Sequence, residues 1–163
     1  MIELRNLSQE DCEIIFSWIS SPELRKMTGT RGIPDQESHI KWLDAKINDE
    51  KNIIRMITYN KVPVGIIGTN EINSIDNNAN IYLYIGNQLY RKKGIASKSI
   101  DQIVDILVND YNCHKITATV RSYNIPSINL FIKCGFSCEG VQKEQIMHDG
   151  KYYNRLLFGK IMT

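Results

Sequence analysis

The stretch from Asn80 to Ile100, NIYLYIGNQLYRKKGIASKSI, constrains this chain more than any other. Its first part, IYLYIG, is an apolar and aromatic run of strand length. A short loop follows with Arg91, Lys92 and Lys93, then Gly94 and the small residues Ala96 and Ser97. From Gly94 to about Tyr111, Ile95, Ile100, Ile103, Val104, Leu107 and Val108 recur at three- and four-residue steps, the period of an amphipathic helix. A strand that turns through glycine into such a helix calls for a sheet with helices layered on it.

The start of that helix suits an anion. Its first backbone N–H groups have no partner within the helix, and the helix dipole is positive there. Gly94 lets a ligand come close to the backbone. Arg91, Lys92, Lys93 and Lys98 put four cations within eight residues, and such side chains make charge-assisted bonds to phosphate. Net charge over the whole chain is only +2, so the basicity is local and no nucleic-acid partner is expected. The stretch reads as a diphosphate cradle. A P-loop would need GxxxxGK[ST], and a dinucleotide turn would need GxGxxG with an acidic residue about 20 positions on. The residues fit neither, and a solvated basic helix cap stays open beside the cradle.

The remaining segments predict one domain over residues 1–163, with no linker, repeat or low-complexity segment. IELRNL reads as a strand. SQEDCEIIFSWIS reads as a helix, with Ser8 as N-cap, Asp11 at the capping-box position and Pro22 as its end. DQESHIKWLDAKIND is a second helix with Ile40, Leu43 and Ile47 on one side. IIRMITY and VPVGIIGTNEI form a hairpin across Asn60-Lys61, and HKITATV is a further strand. IPSINLFIKCGF is a helix opened by Pro126 and stopped by Gly135. QKEQIMH and YYNRLLFGKIM flank Asp149-Gly150, a strong hairpin signal. The predicted order is strand, two helices, three strands, helix, strand, helix, two strands: a mixed α/β (α+β) sheet domain.

Cys12, Cys113, Cys134 and Cys138 form no CxxC pair and show no zinc spacing. They read as reduced thiols of a cytoplasmic protein, with no metal expected. No apolar run reaches the ~20 residues of a membrane span, and the charged N-terminus is unlike a signal peptide. No membrane partner is expected.

Arg91-x-x-Gly94-x-Ala96 resembles the acyl-CoA pyrophosphate loop of the GNAT N-acetyltransferase superfamily, [Q/R]-x-x-G-x-[G/A]. Thirty residues on, Asn124 to Phe136 is similar to that family's N-x-x-[A/S]-x-x-L-[Y/F]-x-K-x-G-F, with Asn124, Ser127, Leu130, Phe131, Lys133, Gly135 and Phe136 in register. The resemblance extends over essentially the whole chain. It implies a GNAT-like fold, a central mostly antiparallel sheet with a splayed parallel strand pair flanked by helices. It implies acetyl-CoA as co-substrate, no metal, and direct transfer of acetyl to the primary amine of a small molecule. The pantetheine arm would pair with backbone groups of Tyr84, Ile85 and Gly86. The pyrophosphate would sit on the amides of Lys92, Lys93, Gly94, Ile95, Ala96 and Ser97, with Arg91 beside them. Asn124 would bond the arm, and Leu130, Phe131 and Lys133 would line its far wall.

Two departures stand out. Where many members carry a tyrosine as general acid this chain has Phe131, and where several carry a glutamate as base it has Thr119. Glu71 and His39 are the candidate replacements as catalytic base. Tyr82 and Tyr123 fall near the expected cleft. Arg25 and Arg31 would meet an anionic acceptor. His148 and the Tyr152-Tyr153 pair would shape a homodimer contact or the substrate rim. Trp18, Pro22, Glu23, Leu24 and Arg25, with His39 and Trp42, resemble the branch of ribosomal-protein N-terminal, polyamine and nucleotide-linked amino-sugar acetyltransferases. Polyamines would need acidic residues near the cleft, yet residues 22–33 are basic, which favours an amino-sugar nucleotide. The alternatives are a peptide or polyamine acetyltransferase, a non-catalytic CoA-binding regulatory module, and an unrelated phosphate-binding protein.

Overall fold

Alternating and β-branched runs become strands, and 3.6-period runs become the helices that cover them. In the computed structural model, which describes residues 1–163, the elements are β1 (Ile2–Asn6), α1 (Cys12–Ile19), α2 (Pro22–Thr28), α3 (Gln36–Ile47), β2 (Ile54–Tyr59), β3 (Val62–Asn73), β4 (Asn78–Ile85), α4 (Ile95–Tyr111), β5 (Lys115–Arg121), α5 (Ile125–Lys133), β6 (Ser137–His148) and β7 (Lys151–Ile161). The strands form one sheet in the order β1-β2-β3-β4-β5-β7-β6. Every neighbouring pair is antiparallel except β4 and β5.

Two expectations are corrected. Pro22 begins a helix instead of ending one: it stands in the first turn of α2, and Ser21 caps that helix by accepting from the Leu24 amide at 3.4 Å. Proline lacks only an N–H that the first turn leaves unpaired anyway. In α3 the buried side is His39 and Leu43, while Ile40 is 48% exposed. The capping box forms as expected. The Asp11 carboxylate accepts from the Ser8 amide at 2.9 Å and also holds Arg5 at 2.7 Å. Both hairpin turns take the positive φ that their residues tolerate, at Asn60-Lys61 and Asp149-Gly150.

Apolar side chains divide between the faces of the sheet. One core lies under α4 and α5 and includes Ile81, Ile116, Ala118, Val120, Phe131 and Phe158. The other joins α1, α2 and α3 to Ile54, Met56 and Ile66, with Tyr82 and Tyr84 against it.

The site is set by the parallel pair. β4 and β5 pair only at Asn78–Lys115, Ala79–Ile116 and Asn80–Thr117. Beyond that point β4 continues along β3 to Ile85, and β5 continues along β7 to Arg121. The two strands therefore part at Asn80, whose Nδ2 donates to Thr117 Oγ1 at 3.0 Å at the fork.

Candidate active site

Where β4 leaves β5, one edge of its backbone is left without a strand partner. The Gly86 amide donates to the Val64 carbonyl at 2.8 Å, so Gly86 turns toward β3. Antiparallel ladders alternate in direction, so Tyr84 shares that orientation, while Leu83 and Ile85 turn into the gap. Of Tyr84, Ile85 and Gly86, only Ile85 turns that way, and its carbonyl is held by Arg91, which leaves its amide. Leu83 was missed, because strand direction cannot be read before the pairing is known.

Past β4 the chain makes a single 3-10 turn at Gln88–Tyr90 and enters α4 through Gly94, which has φ +76. No side chain caps this helix. A Cβ built on Gly94 meets nothing within 4 Å, so the space over the helix start is open. The N–H groups of the first turn thus face a void able to take an anion. Lys92, Lys93 and Lys98 are exposed around it. Arg91 is bound from both sides: its Nε donates to the Ile85 carbonyl at 3.1 Å, and its Nη1 to Glu23 Oε1 at 2.6 Å. The open glycine, the uncapped amides and the surrounding cations fit a diphosphate.

The second signature is placed differently. Asn124 caps α5, accepting from the Ser127 amide at 3.3 Å, and its Nδ2 donates to the Met27 carbonyl at 3.4 Å. Both ends of its amide serve the fold. Phe131 is 3% exposed in the core, edge-on to Phe136 at 5.1 Å and stacked on Phe158 at 6.2 Å. This corrects its placement on an open wall. Leu130 is half-buried and Lys133 exposed.

On the α1–α3 side of the sheet lies a cavity of about 600 Å³. α2, the loop at 29–32, the end of β5 and the β6–β7 tip enclose it. Three contacts fasten the α2 loop to the end of β5. The Tyr123 hydroxyl donates to the Lys26 carbonyl at 2.6 Å, Arg121 Nη1 to the Thr28 carbonyl at 3.4 Å, and Asn124 Nδ2 to Met27. Arg25, Lys26, Arg31 and Arg121 line the cavity against the carboxylates of Glu23 and Asp149. Glu23 is engaged by Arg91, and Asp149 lies 3.2 Å from His148. The lining is basic.

Arg25 and Arg31 line the cavity, although Arg25 Nη1 is tied to the Ile19 and Ser20 carbonyls at 3.1 and 2.7 Å. His148 and Tyr123 line it too, the pKa of the Tyr123 hydroxyl raised chiefly by burial. Sequence reading missed Glu23 as a partner of Arg91, and Arg121, since neither follows from local spacing.

The two base candidates lie elsewhere. His39 is 2% exposed, with Nε2 2.9 Å from the Cys12 carbonyl and its ring between Phe16 and Trp42. A bond to a carbonyl requires that nitrogen to carry the proton, so His39 is a packed donor joining α1 to α3. Glu71 is exposed and pairs with Asn80 at the fork, outside the cavity lining. Tyr82 faces Lys46, Asp49 and Asn52 under α3, away from the cavity. Burial, with a lesser push from Asp49, raises its hydroxyl to about 12, which keeps it protonated at neutral pH. Burial likewise raises Tyr84.

Residues 2–137 match the family model of the acetyltransferase (GNAT) domain. The chain is 29% identical over 159 residues to the SPbeta prophage-derived uncharacterized N-acetyltransferase YokL of Bacillus subtilis, covering 97% of this chain and 88% of that one. It is 25% identical over 113 residues to the spermidine N(1)-acetyltransferase of Escherichia coli, covering 69% of this chain and 60% of that one. Among solved structures, spermidine N-acetyltransferase from Vibrio cholerae in complex with CoA and spermine superposes with a TM-score of 0.90 at 22% identity, covering 98% and 95% of the two chains. The microcin C7 self-immunity acetyltransferase MccE, in complex with acetyl-CoA and AMP, superposes with a TM-score of 0.85 at 19% identity, covering 99% and 92%. At these identities the structures speak for the fold alone.

Proposed function

Since the chain belongs to the GNAT acetyltransferase family and is an acyltransferase, we propose that it transfers the acetyl group of acetyl-CoA to a primary amine on a small, anion-bearing molecule, with a nucleotide-linked amino sugar as the leading acceptor. The observation that carries this reading is the basic cavity between the α2 loop and the end of β5. A polyamine is a polycation, which four cationic side chains outnumbering two carboxylates would disfavour. MccE, whose structure holds acetyl-CoA and AMP, lends support as a protein of the same fold with a nucleotide bound.

In this reading the α4 N-terminus, Arg91 and Lys92 to Lys98 hold the diphosphate of the coenzyme. Leu83 and Ile85 present backbone groups to the pantetheine arm and polarise the thioester carbonyl. Asn124 acts by capping α5 and anchoring the α2 loop. An alkyl ammonium has a pKa of about 10 and must shed a proton before it attacks. Neither Glu71 nor His39 lines the cavity. His39 is packed between α1 and α3, and in this reading the proton passes to water, with Glu71, opposite Asn80 at the fork, the carboxylate nearest to relay it. A C–N bond forms and the C–S bond breaks. The thiolate, with a pKa near ~8.5, leaves and takes its proton from water, so no tyrosine is needed at Phe131.

The same reading includes a homodimer. Met147 and Tyr152 are cross-strand partners on the β6–β7 hairpin, 48% and 64% exposed, and a second copy would cover them. We place the enzyme in the cytoplasm, a reading supported by four free cysteines. No helix is long and apolar enough to cross a membrane.

The test is a turnover screen with acetyl-CoA, following thiol release. Amino-sugar nucleotides, neutral amino sugars, polyamines and peptides are each offered. Turnover confined to anionic acceptors is expected. Preference for spermidine would overturn the acceptor class, and binding of coenzyme A with no turnover of any amine would favour the regulatory module.

A further inference from the structure

We propose that Arg121 and Arg155 together form the receptor for an oxyanion carried by the acceptor. This deepens the acetyltransferase reading and rests on it. Arg121 ends β5 and Arg155 lies directly opposite it on β7. Directly opposed residues of an antiparallel pair point to the same face. On β5 that face alternates with the buried Ile116, Ala118 and Val120, so it carries Thr117, Thr119 and Arg121. It is the face on which the cavity opens.

Two like charges directly opposite one another destabilise a sheet, and nothing here offsets them. Neither guanidinium takes part in an ion pair. The residue opposite Arg155 on its other side is the neutral Gln142. Of the cavity's own carboxylates, Glu23 pairs with Arg91 and Asp149 lies 3.2 Å from His148, and neither contacts Arg121 or Arg155 within ion-pair distance. Arg121 makes one long bond, to the Thr28 carbonyl at 3.4 Å. A guanidinium has five N–H donors, so beyond the Thr28 carbonyl and the neighbouring Tyr123 hydroxyl Arg121 keeps donors for a ligand.

The guanidinium lies against the loop: a Cβ at Gly29, the left-handed C-cap of α2 at φ +77, would lie 1.7 Å from Arg121 Nη2. Arg121 lines the cavity; Arg155 is not among the lining residues and stands directly opposite Arg121 on β7. An anion bound to Arg121 therefore lies in the field of both. Two planar forks suit the paired oxygens of a carboxylate or a phosphate. The acceptor would then be anchored by its oxyanion at the end of β5, with its amine reaching back toward the fork at Asn80. Arg25 and Arg31 would supply surrounding charge.

The experiment begins with coenzyme A binding by calorimetry to wild type, Arg121→Gln, Arg155→Gln and Arg155→Lys. Equal affinity in all four shows that the cradle is filled and the variants folded. Failure of the wild type to bind coenzyme A would sink the family-based reading, and this inference with it. With coenzyme A saturating, so that its own anion site is occupied, inorganic phosphate and succinate are titrated as separate probes. Wild type is expected to bind at least one, which tells phosphate from carboxylate. Both glutamine variants should weaken that binding at least tenfold, with Arg155→Lys intermediate because it keeps charge and loses the fork. For a turned-over anionic acceptor, KM should rise by a similar factor, more than for a neutral amino sugar. Coenzyme A bound normally but neither probe bound, or probe binding equal in wild type and glutamine variants, would overturn the proposal while leaving the acetyltransferase reading intact.

Discussion

Glu23 and Arg91 meet at 2.6 Å, tying α2, which borders the acceptor cavity, to the loop that leads into α4. Gln88 strengthens the contact by donating to Glu23 Oε2 at 3.2 Å. Arg91 is 28% exposed and Glu23 53%, so the pair is a rim contact worth about 0–1 kcal/mol. A bound diphosphate would compete with Glu23 for the same guanidinium. Glu23→Gln removes the competitor and is expected to tighten coenzyme A by up to about fivefold. Arg91→Gln should weaken it and flatten its salt dependence, because one phosphate partner is gone. Calorimetry at two ionic strengths checks both signs. Weaker binding in Glu23→Gln would mean that the carboxylate positions Arg91 instead of restraining it.

Gly94 tests the cradle itself. Its φ of +76 makes a β-branched residue there a strain on the helix start, whereas asparagine tolerates that conformation. Gly94→Asn is therefore the cleaner variant. Its side chain would project into space where no atom lies within 4 Å. A native circular dichroism spectrum with at least tenfold weaker coenzyme A is expected. Unchanged affinity would reduce Gly94 to a helix-entry glycine.

Phe131→Tyr restores the hydroxyl that many family members carry. The ring is held by Phe136 and Phe158, and the new group would be buried among apolar neighbours. An unpartnered buried hydroxyl costs about 1–3 kcal/mol, so the melting temperature should fall. Turnover should change by less than about tenfold, or ~1.4 kcal/mol of barrier. A much larger gain would show that thiolate release limits the native enzyme.

Much of this architecture was legible locally. Asn60-Lys61 and Asp149-Gly150 turn as their residues dictate, the Arg91–Ala96 segment falls at the start of α4, and Asn124–Phe136 runs from the cap of α5 to just past its end. What was not legible depends on contacts far apart in the chain. Pro22 fits either the end of one helix or the first turn of the next, and the Ser21 cap decides it. His39 looks like a helix-surface group until α1 supplies the Cys12 carbonyl and the Phe16 ring. Arg121 and Arg155 become neighbours only when β7 inserts between β5 and β6. The backbone direction of Leu83 likewise follows from pairing with β3, which no run of side chains encodes.

His39→Phe separates packing from catalysis. The change keeps a ring between Phe16 and Trp42 but removes the bond to the Cys12 carbonyl. A loss of about 1 kcal/mol in stability is expected, from one side-chain hydrogen bond removed while the Cys12 carbonyl keeps its intrahelical partner. The pH–rate profile with a confirmed acceptor should keep every ionisation of the wild type. Disappearance of one would restore His39 as a base.

The Arg5–Asp11 pair should give folding stability a specific pH dependence. Asp11 is 4% exposed. Burial alone would raise its carboxyl, but the bonds from Arg5 and from the Ser8 amide override that and hold it below the usual carboxylate range. A carboxyl lowered on folding stabilises fully above its unfolded pKa, near 3.9 for aspartate, and that contribution fades as pH falls through the folded value. Asp11→Asn keeps the shape and removes the charge. At pH 7 it should cost about 1–2 kcal/mol, because the capping bond weakens and the ion pair is lost while the 41% exposed Arg5 side chain is rehydrated. For a chain of this size that is a drop of about 2–8 °C in melting temperature. Below the folded value Asp11 is itself neutral, so the gap between variant and wild type should narrow. Calorimetric scans at pH 7, 4 and 2.5 measure it. A gap that stays constant over that range would assign the stabilisation to packing at the capping box and not to charge.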